Sequence, residues 1–171
     1  NPNDLIMISD IDEIPNPERI REFDIKKKYA CFLQKNFQSK INLLNISEDL
    51  WPGTKICQKK NLKSPQWLRN KKIKKRPIWK FFKDKEPQLI RDGGWHFSFL
   101  KKPAAIKRKI ISYSHQEFNK KKFINEKNIK IKIKKGQDLF DRNIKYKTIK
   151  IDKTFPTYIL KNKKYFKDWI L

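Results

Sequence analysis

Asp10 and Asp12 stand one residue apart in Ser9-Asp10-Ile11-Asp12-Glu13-Ile14-Pro15, directly after the apolar run Leu5-Ile6-Met7-Ile8. In an extended backbone side chains alternate, so both carboxylates point to one side, roughly 6–7 Å apart at Cα. Carboxylates that close repel each other unless a positive charge sits between them. A hard divalent cation such as Mg²⁺ or Mn²⁺ prefers oxygen ligands and keeps coordination positions for substrate phosphates. The competing reading is a capped, solvated turn. Local charge favours the cation: residues 1–24 hold seven acids and two bases, in a chain with 43 basic and 18 acidic residues.

The chain has two histidines, and either could complete such a centre, because imidazole is an acceptable ligand for Mn²⁺. His96 lies in Trp95-His96-Phe97-Ser98-Phe99-Leu100, where a strand period puts Trp95, Phe97 and Phe99 on one face and His96 with Ser98 on the other. His115 lies in the polar cluster Ser112-Tyr113-Ser114-His115-Gln116-Glu117. A hydrogen-bonded structural histidine is the alternative for both. No GxSxG elbow and no GxxxxGK[ST] loop is present, which argues against a serine nucleophile and against P-loop phosphate binding. Phosphate held through a metal fits better. Cys31 and Cys57 have no CxxC spacing and are expected to be buried free thiols.

The elements that must position these groups follow from the pattern. The run from Asp4 to Ser9 has no alternation, as in a strand buried on both faces of an α/β sheet. After it, Asn16 is an N-cap, Pro17 opens a helix and acids occupy its first turn. Strand, acidic turn, helix is the usual setting of a ligand at the carboxyl end of a strand. Further strands are expected at Tyr29–Leu33, Ile41–Ile46 and Ile78–Phe82. Trp51-Pro52-Gly53-Thr54 is expected to be a loop, and Asp92-Gly93-Gly94 a turn. Helices are expected at Ser64–Arg69, capped by Ser64, and at Pro103–Ile111, with a packed terminal helix carrying Phe166, Trp169 and Ile170. Ile129, Ile131 and Ile133 alternate with lysine; strand and Lys-rich helix both remain open there. No linker divides residues 1–171, so one domain is expected.

A net charge of +25 normally points to a polyanion: nucleic acid, anionic membrane or phosphorylated substrate. The basic residues, however, are 36 Lys and only 7 Arg, and the basic excess is spread from about Lys26 to Lys167. Specific phosphate and base readers favour the bidentate fork of Arg. A solvated Lys-rich surface is therefore expected, with no specific nucleic acid partner and with peripheral contact to an anionic membrane left open. Aromatic residues make up 13%, too many for a disordered basic tail, and no apolar run reaches the length of a membrane span.

The stretch Asp4 to Pro15 resembles the signature of glycosyltransferase family 17, which includes β-1,4-mannosyl-glycoprotein N-acetylglucosaminyltransferases. Gly93-Gly94-Trp95-His96-Phe97-Ser98 is similar to its second hallmark, Gly-Trp-His-x-Ser. Ser112 to Glu117, Gly136-Gln137-Asp138-Leu139-Phe140 and Pro156-Thr157-Tyr158-Ile159-Leu160-Lys161-Asn162 follow in matching order. The resemblance implies an α/β fold of GT-A type in which Asp10 and Asp12 form a DxD motif. They would hold Mn²⁺ or Mg²⁺ against the diphosphate of a UDP-sugar, with His96, Trp95 and His115 as further metal or donor contacts. It also implies an inverting transfer, with N-acetylglucosamine the expected sugar and a glycan or glycoconjugate hydroxyl the acceptor. Such a displacement needs a general base, for which Glu117, Asp92 and Glu13 are the candidates. Because the DxD falls at residue 10, the expectation is a partial catalytic domain that starts at the DxD strand. The nucleotide-binding βαβ part that normally precedes it would then be missing. A non-enzymatic basic module binding nucleic acid or anionic surfaces is the alternative.

Overall fold

The structure, a computed structural model, describes residues 1–71, 73, 87–112 and 116–171. The expected strand at Ile78–Phe82, most of the basic run Lys71–Lys75 and His115 lie outside the described residues. Strands are β1 (Leu5–Ile8), β2 (Glu13–Pro15), β3 (Ala30–Gln38), β4 (Leu43–Asn45), β5 (Leu50–Gln58), β6 (Gln88–Ile90), β7 (Gly94–Ser98) and β8 (Tyr146–Thr148). Helices are α1 (Pro65–Arg69), α2 (Pro103–Ser112), α3 (Lys121–Ile124), α4 (Glu126–Lys134) and α5 (Thr157–Lys161). The chain is a mixed α/β protein built on a curled mixed sheet. It divides into two compact units, Asn1–Lys35 with Leu50–His96, and Asn36–Asp49 with Phe97–Leu171. Strands β3 and β7 contribute residues to both. Among the described residues no helix is long and apolar enough to cross a membrane.

In the first unit β1 and β3 flank β5 antiparallel, β6 runs parallel to β3, and β2 pairs antiparallel with β7. The apolar run of β1 is not buried on both faces. It lies at the end of the strand order against β5, with Leu5 exposed and Ile6 to Ile8 half-buried. The doubly covered strand is β3 instead, where Ala30, Cys31 and Phe32 have no solvent exposure. Phe23, Ala30, Phe32, Ile56 and Ile90 form the core, packed by Met7 and Ile20. Each fully buried Phe or Ile there contributes roughly 1.5–3 kcal/mol. Cys31 and Cys57 are buried free thiols, and burial pushes the Cys31 thiol up to about 11.

Trp51 to Thr54 lies within β5, where a loop was expected. The pairing passes from Cys31 opposite Lys55 to Leu33 opposite Pro52, so β5 spends one extra residue in a bulge. A bulge leaves a residue out of the ladder, which accommodates a proline without N–H and a glycine in close contact. The cap signals hold at two places. Asn16 accepts from the Glu18 N–H at 3.1 Å ahead of Pro17–Glu22, a single stretch of 3₁₀ helix. Ser64 accepts from the Trp67 N–H at 3.0 Å and starts α1.

In the second unit β4 pairs antiparallel with the end of β3 and with β8. Its core gathers Phe99, Ile106, Ile110, Phe123, Ile129, Ile133, Leu139 and Phe140. The open choice at Ile129–Ile133 resolves as helix: Ile129 and Ile133, one turn apart in α4, are buried, whereas Ile131 is 42% exposed. Helix α4 ends in a Schellman motif, with Gln137 N–H bonded to the Lys132 carbonyl at 2.9 Å and Gly136 N–H to that of Ile133 at 3.1 Å. Beyond it, buried Asp138 accepts from the Phe140 and Arg142 N–H groups and from the Arg142 guanidinium. The terminal segment is not one packed helix. A short α5 is followed by the 3₁₀ helix Lys163–Trp169, which buries no residue. Phe166 and Trp169, three apart, suit the three-residue turn of a 3₁₀ helix.

Candidate functional site

Strand β1 delivers the chain to Ser9, whose hydroxyl lies 2.6 Å from Thr54 Oγ1 and donates to the Glu13 carbonyl at 3.1 Å. The next four residues form a turn. Glu13 N–H donates to the Asp10 carbonyl at 3.0 Å, and Asp10 N–H donates back to Glu13 Oε2 at 3.1 Å. The tip is Ile11, fully exposed. The backbone is therefore curled where the two-residue spacing predicted extension, and the two carboxylates go to different partners. Asp10 accepts a two-pronged contact from Arg69, with Nε at 2.9 Å and Nη2 at 3.2 Å. Asp12 sits with Oδ1 3.8 Å from His96 Nε2.

The imidazole is positioned by β7, whose ladder sets His96 opposite Glu13 and Trp95 opposite Ile14. His96 is 7% exposed and stacks on Trp51, with ring centroids 4.3 Å apart and planes 13° from parallel. Trp51 in turn donates its indole N–H to Glu13 Oε1 at 2.9 Å. Asp12, His96, Trp51, Glu13, Asp10 and Arg69 thus form one connected polar group. Beside it lies a cavity of about 390 Å³ lined by Asp10, Glu13, Trp51, Gly53, Lys55 and Arg69 among others. Under Glu13 and Gly53, Gln34 is fully buried and donates to Thr54 Oγ1 at 3.0 Å; its Oε1 has no hydrogen-bond partner among the described residues.

Glycines let the strands approach this closely. A Cβ on Gly94, whose φ is +133°, would lie 2.1 Å from the Ile14 carbonyl oxygen across the β2–β7 pair. A Cβ on Gly53 would lie 2.0 Å from Gln34 Oε1. The other expected residues are placed as follows. Trp95 is buried in β7. Asp92 lies in the turn before β7 at φ 48°, with its side chain 67% exposed and Oδ2 3.7 Å from Arg19 Nη2. Glu117 belongs to the second unit, on the surface of a single 3₁₀ turn, Gln116–Phe118.

As a cation site the first unit offers a carboxylate and an imidazole, Asp12 and His96. Among the described residues no three His, Cys, Asp or Glu side chains gather to hold a metal by themselves. Asp10, expected as the second carboxylate, is engaged by a guanidinium. A carboxylate and an imidazole offer two donors, a set that suits Mn²⁺ better than the all-oxygen preference of Mg²⁺. Arg69 and Lys55 stand at the cavity wall with Asp10 and Glu13, two bases facing two acids, and Arg69 is already paired with Asp10.

Trp51, Gln34, Thr54 and Arg69 escaped the sequence reading. Arg69 carried one signal, being among only 7 arginines beside 36 lysines, where a bidentate fork is a specific choice. Trp51 was hidden by its Pro-Gly neighbours, which read as a loop. Comparison of the chain with protein-family profiles, with curated proteins and with solved structures gives no match.

Proposed function

We propose that the chain is a metal-dependent, inverting glycosyltransferase of GT-A type. It would move a sugar, N-acetylglucosamine in the first instance, from a UDP-sugar to a glycan or glycoconjugate hydroxyl. The observation that carries this reading is the pairing of Asp12 with His96 on a turn-and-strand frame beside a polar cavity bearing Arg69 and Lys55. Asp12 and His96 would hold Mn²⁺ or Mg²⁺ together with diphosphate oxygens. When bound, the cation supplies Lewis acidity for charge on the departing UDP. Trp51 fixes the imidazole plane by stacking, and Glu13 fixes Trp51. Arg69, now held by Asp10, is the residue available to contact the donor diphosphate through its fork.

Both oxygens of Glu13 accept hydrogen bonds, from Trp51 and from the Asp10 N–H, so Glu13 orients the turn in this reading. Within this unit Asp92 remains a candidate to take the acceptor proton. The test is calorimetry with UDP-N-acetylglucosamine, with and without Mn²⁺. Heat that requires Mn²⁺, is lost in Asp12→Ala and is weakened at least tenfold in His96→Ala, with unchanged circular dichroism, is the expected result. Absence of Mn²⁺-dependent heat in the parent chain refutes the reading. The +25 charge favours one rival, a basic module for nucleic acid or anionic surfaces. Binding of that kind would fall steeply with salt and survive Asp12→Ala.

A further inference from the structure

The second unit contains a larger cavity, about 710 Å³, within the range of roughly 300–1,000 Å³ usual for small-molecule sites. Its apolar part is made by Pro103, Ala104, Ile133 and Trp169. Around these stand six lysines: Lys40, Lys101, Lys102, Lys127, Lys130 and Lys134. Three of them form a stripe, because Lys127, Lys130 and Lys134 fall at i, i+3 and i+7 of α4 and share one helical face. Lys101 and Lys102 stand immediately before α2. Two side-chain carboxylates of the described residues line the same space, Glu126 and Asp168. Glu126 already faces Lys107, outside the lining, at 3.4 Å.

Five of these lysines are exposed and Lys40 is half-buried; what sets them apart from the rest of the Lys-rich surface is that they surround one concavity with an apolar wall. Like charges brought around one concavity raise each other's energy, and they focus the field into it when the walls are apolar. Burial holds the Lys40 ammonium below its usual range, and its Nζ donates to the Asp168 backbone carbonyl at 2.7 Å. Ser39, also in the lining, is 3% exposed with φ 63°, and its hydroxyl has no hydrogen-bond partner among the described residues. A buried hydroxyl left unmatched costs free energy at this edge of the cavity.

We infer that this cavity binds a small amphiphilic anion, with an apolar body against Ala104, Ile133 and Trp169 and a phosphate or carboxylate head among the lysines. An inorganic anion would leave the apolar wall unused, and a neutral apolar molecule would leave the excess of lysines over carboxylates around the cavity unused. Nucleic acid is the weaker fit, since one wall is apolar and no arginine lines the space.

Octyl phosphate, below its micellar concentration, is the probe, titrated calorimetrically against octanol and against inorganic phosphate. Saturable 1:1 binding at least tenfold tighter than either comparator is expected. The rim double variant Lys130→Glu/Lys134→Glu should weaken it at least tenfold. Ala104→Trp should do the same by filling the space, whereas Lys163→Glu/Lys164→Glu, exposed and outside the lining, should leave it within twofold. Circular dichroism of each variant checks folding, and Ala104→Trp and the rim pair fail independently if either unfolds. The inference is overturned by non-saturable binding, by inorganic phosphate binding equally well (an adventitious ion only), or by the Lys163/Lys164 control losing as much affinity as the rim pair.

Discussion

Gly94→Ala places one methyl group where β2 and β7 come closest. The new Cβ would stand 2.1 Å from the Ile14 carbonyl oxygen and 2.9 Å from both Asn16 N and Pro15 Cα. All three are backbone atoms of β2 or of the residue that follows it, so no rotamer change relieves the overlap. Residue 94 also keeps φ +133°, a region that L side chains rarely adopt, at roughly 1–3 kcal/mol. Forcing a methyl into filled space adds about 1–3 kcal/mol. The sum is at least about 2 kcal/mol, which for a chain of 171 residues lowers Tm by roughly 4–8 °C. The easiest relief separates β2 from β7 and takes Glu13 out of register with His96, so the Mn²⁺-dependent UDP binding proposed above should fall with stability. Gly136→Ala is the comparison, because at φ +62° its Cβ would meet only Leu43 Cδ1, at 3.2 Å. That change should cost about 1 kcal/mol, the usual penalty for a non-glycine residue in the left-handed region. Thermal unfolding of both variants decides. A Gly94→Ala shift no larger than that of Gly136→Ala refutes the close approach of β2 to β7.

Helix α4 predicts unequal losses along its isoleucines. Ile129→Ala should cost about 2–5 kcal/mol in urea unfolding and Ile131→Ala less than about 1 kcal/mol; equal costs would contradict a helix in which Ile131 is half-exposed. Asp138 predicts an acid dependence. Burial alone would raise its carboxyl, but hydrogen bonds from the Arg142 guanidinium and from the N–H groups of Arg142 and Phe140 outweigh that and hold it below the usual carboxylate range. The associated stability is therefore present above the unfolded value, roughly 3.9, and is lost as pH falls through the lower folded value. Asp138→Asn should cost about 3 kcal/mol near pH 7, with the difference from the parent shrinking below about pH 4. A difference independent of pH would sink this assignment.

The local signals were legible because each depends on a few neighbouring residues. Asn16 and Ser64 have the side-chain oxygens that accept from exposed helix N–H groups, and both cap as expected. Ile106 and Ile110, one turn apart, bury together in α2 as their spacing requires. At Ile129–Ile133 two periods fitted the same letters, and only the core around Phe123 and Phe140 selected the helix. Trp51 to Thr54 looked like a loop because proline and glycine weaken a strand in isolation. The bulge opposite Cys31–Leu33 removes that objection, and it exists only once β3 is alongside.

The same division runs through the candidate site. The sequence alone determined that carboxylates cluster after an apolar strand and that a histidine lies among aromatics on another strand, since residue type and spacing are local properties. It could not determine that Asp10 and Asp12 separate. The turn closed by Glu13 curls the backbone, and Arg69, 59 residues away in the chain, claims one of the two carboxylates. Nor could it bring Trp51 onto His96, a contact produced by strand pairing across long stretches of chain. Which side chains meet depends on register and bulges, and those are fixed by the assembled sheet.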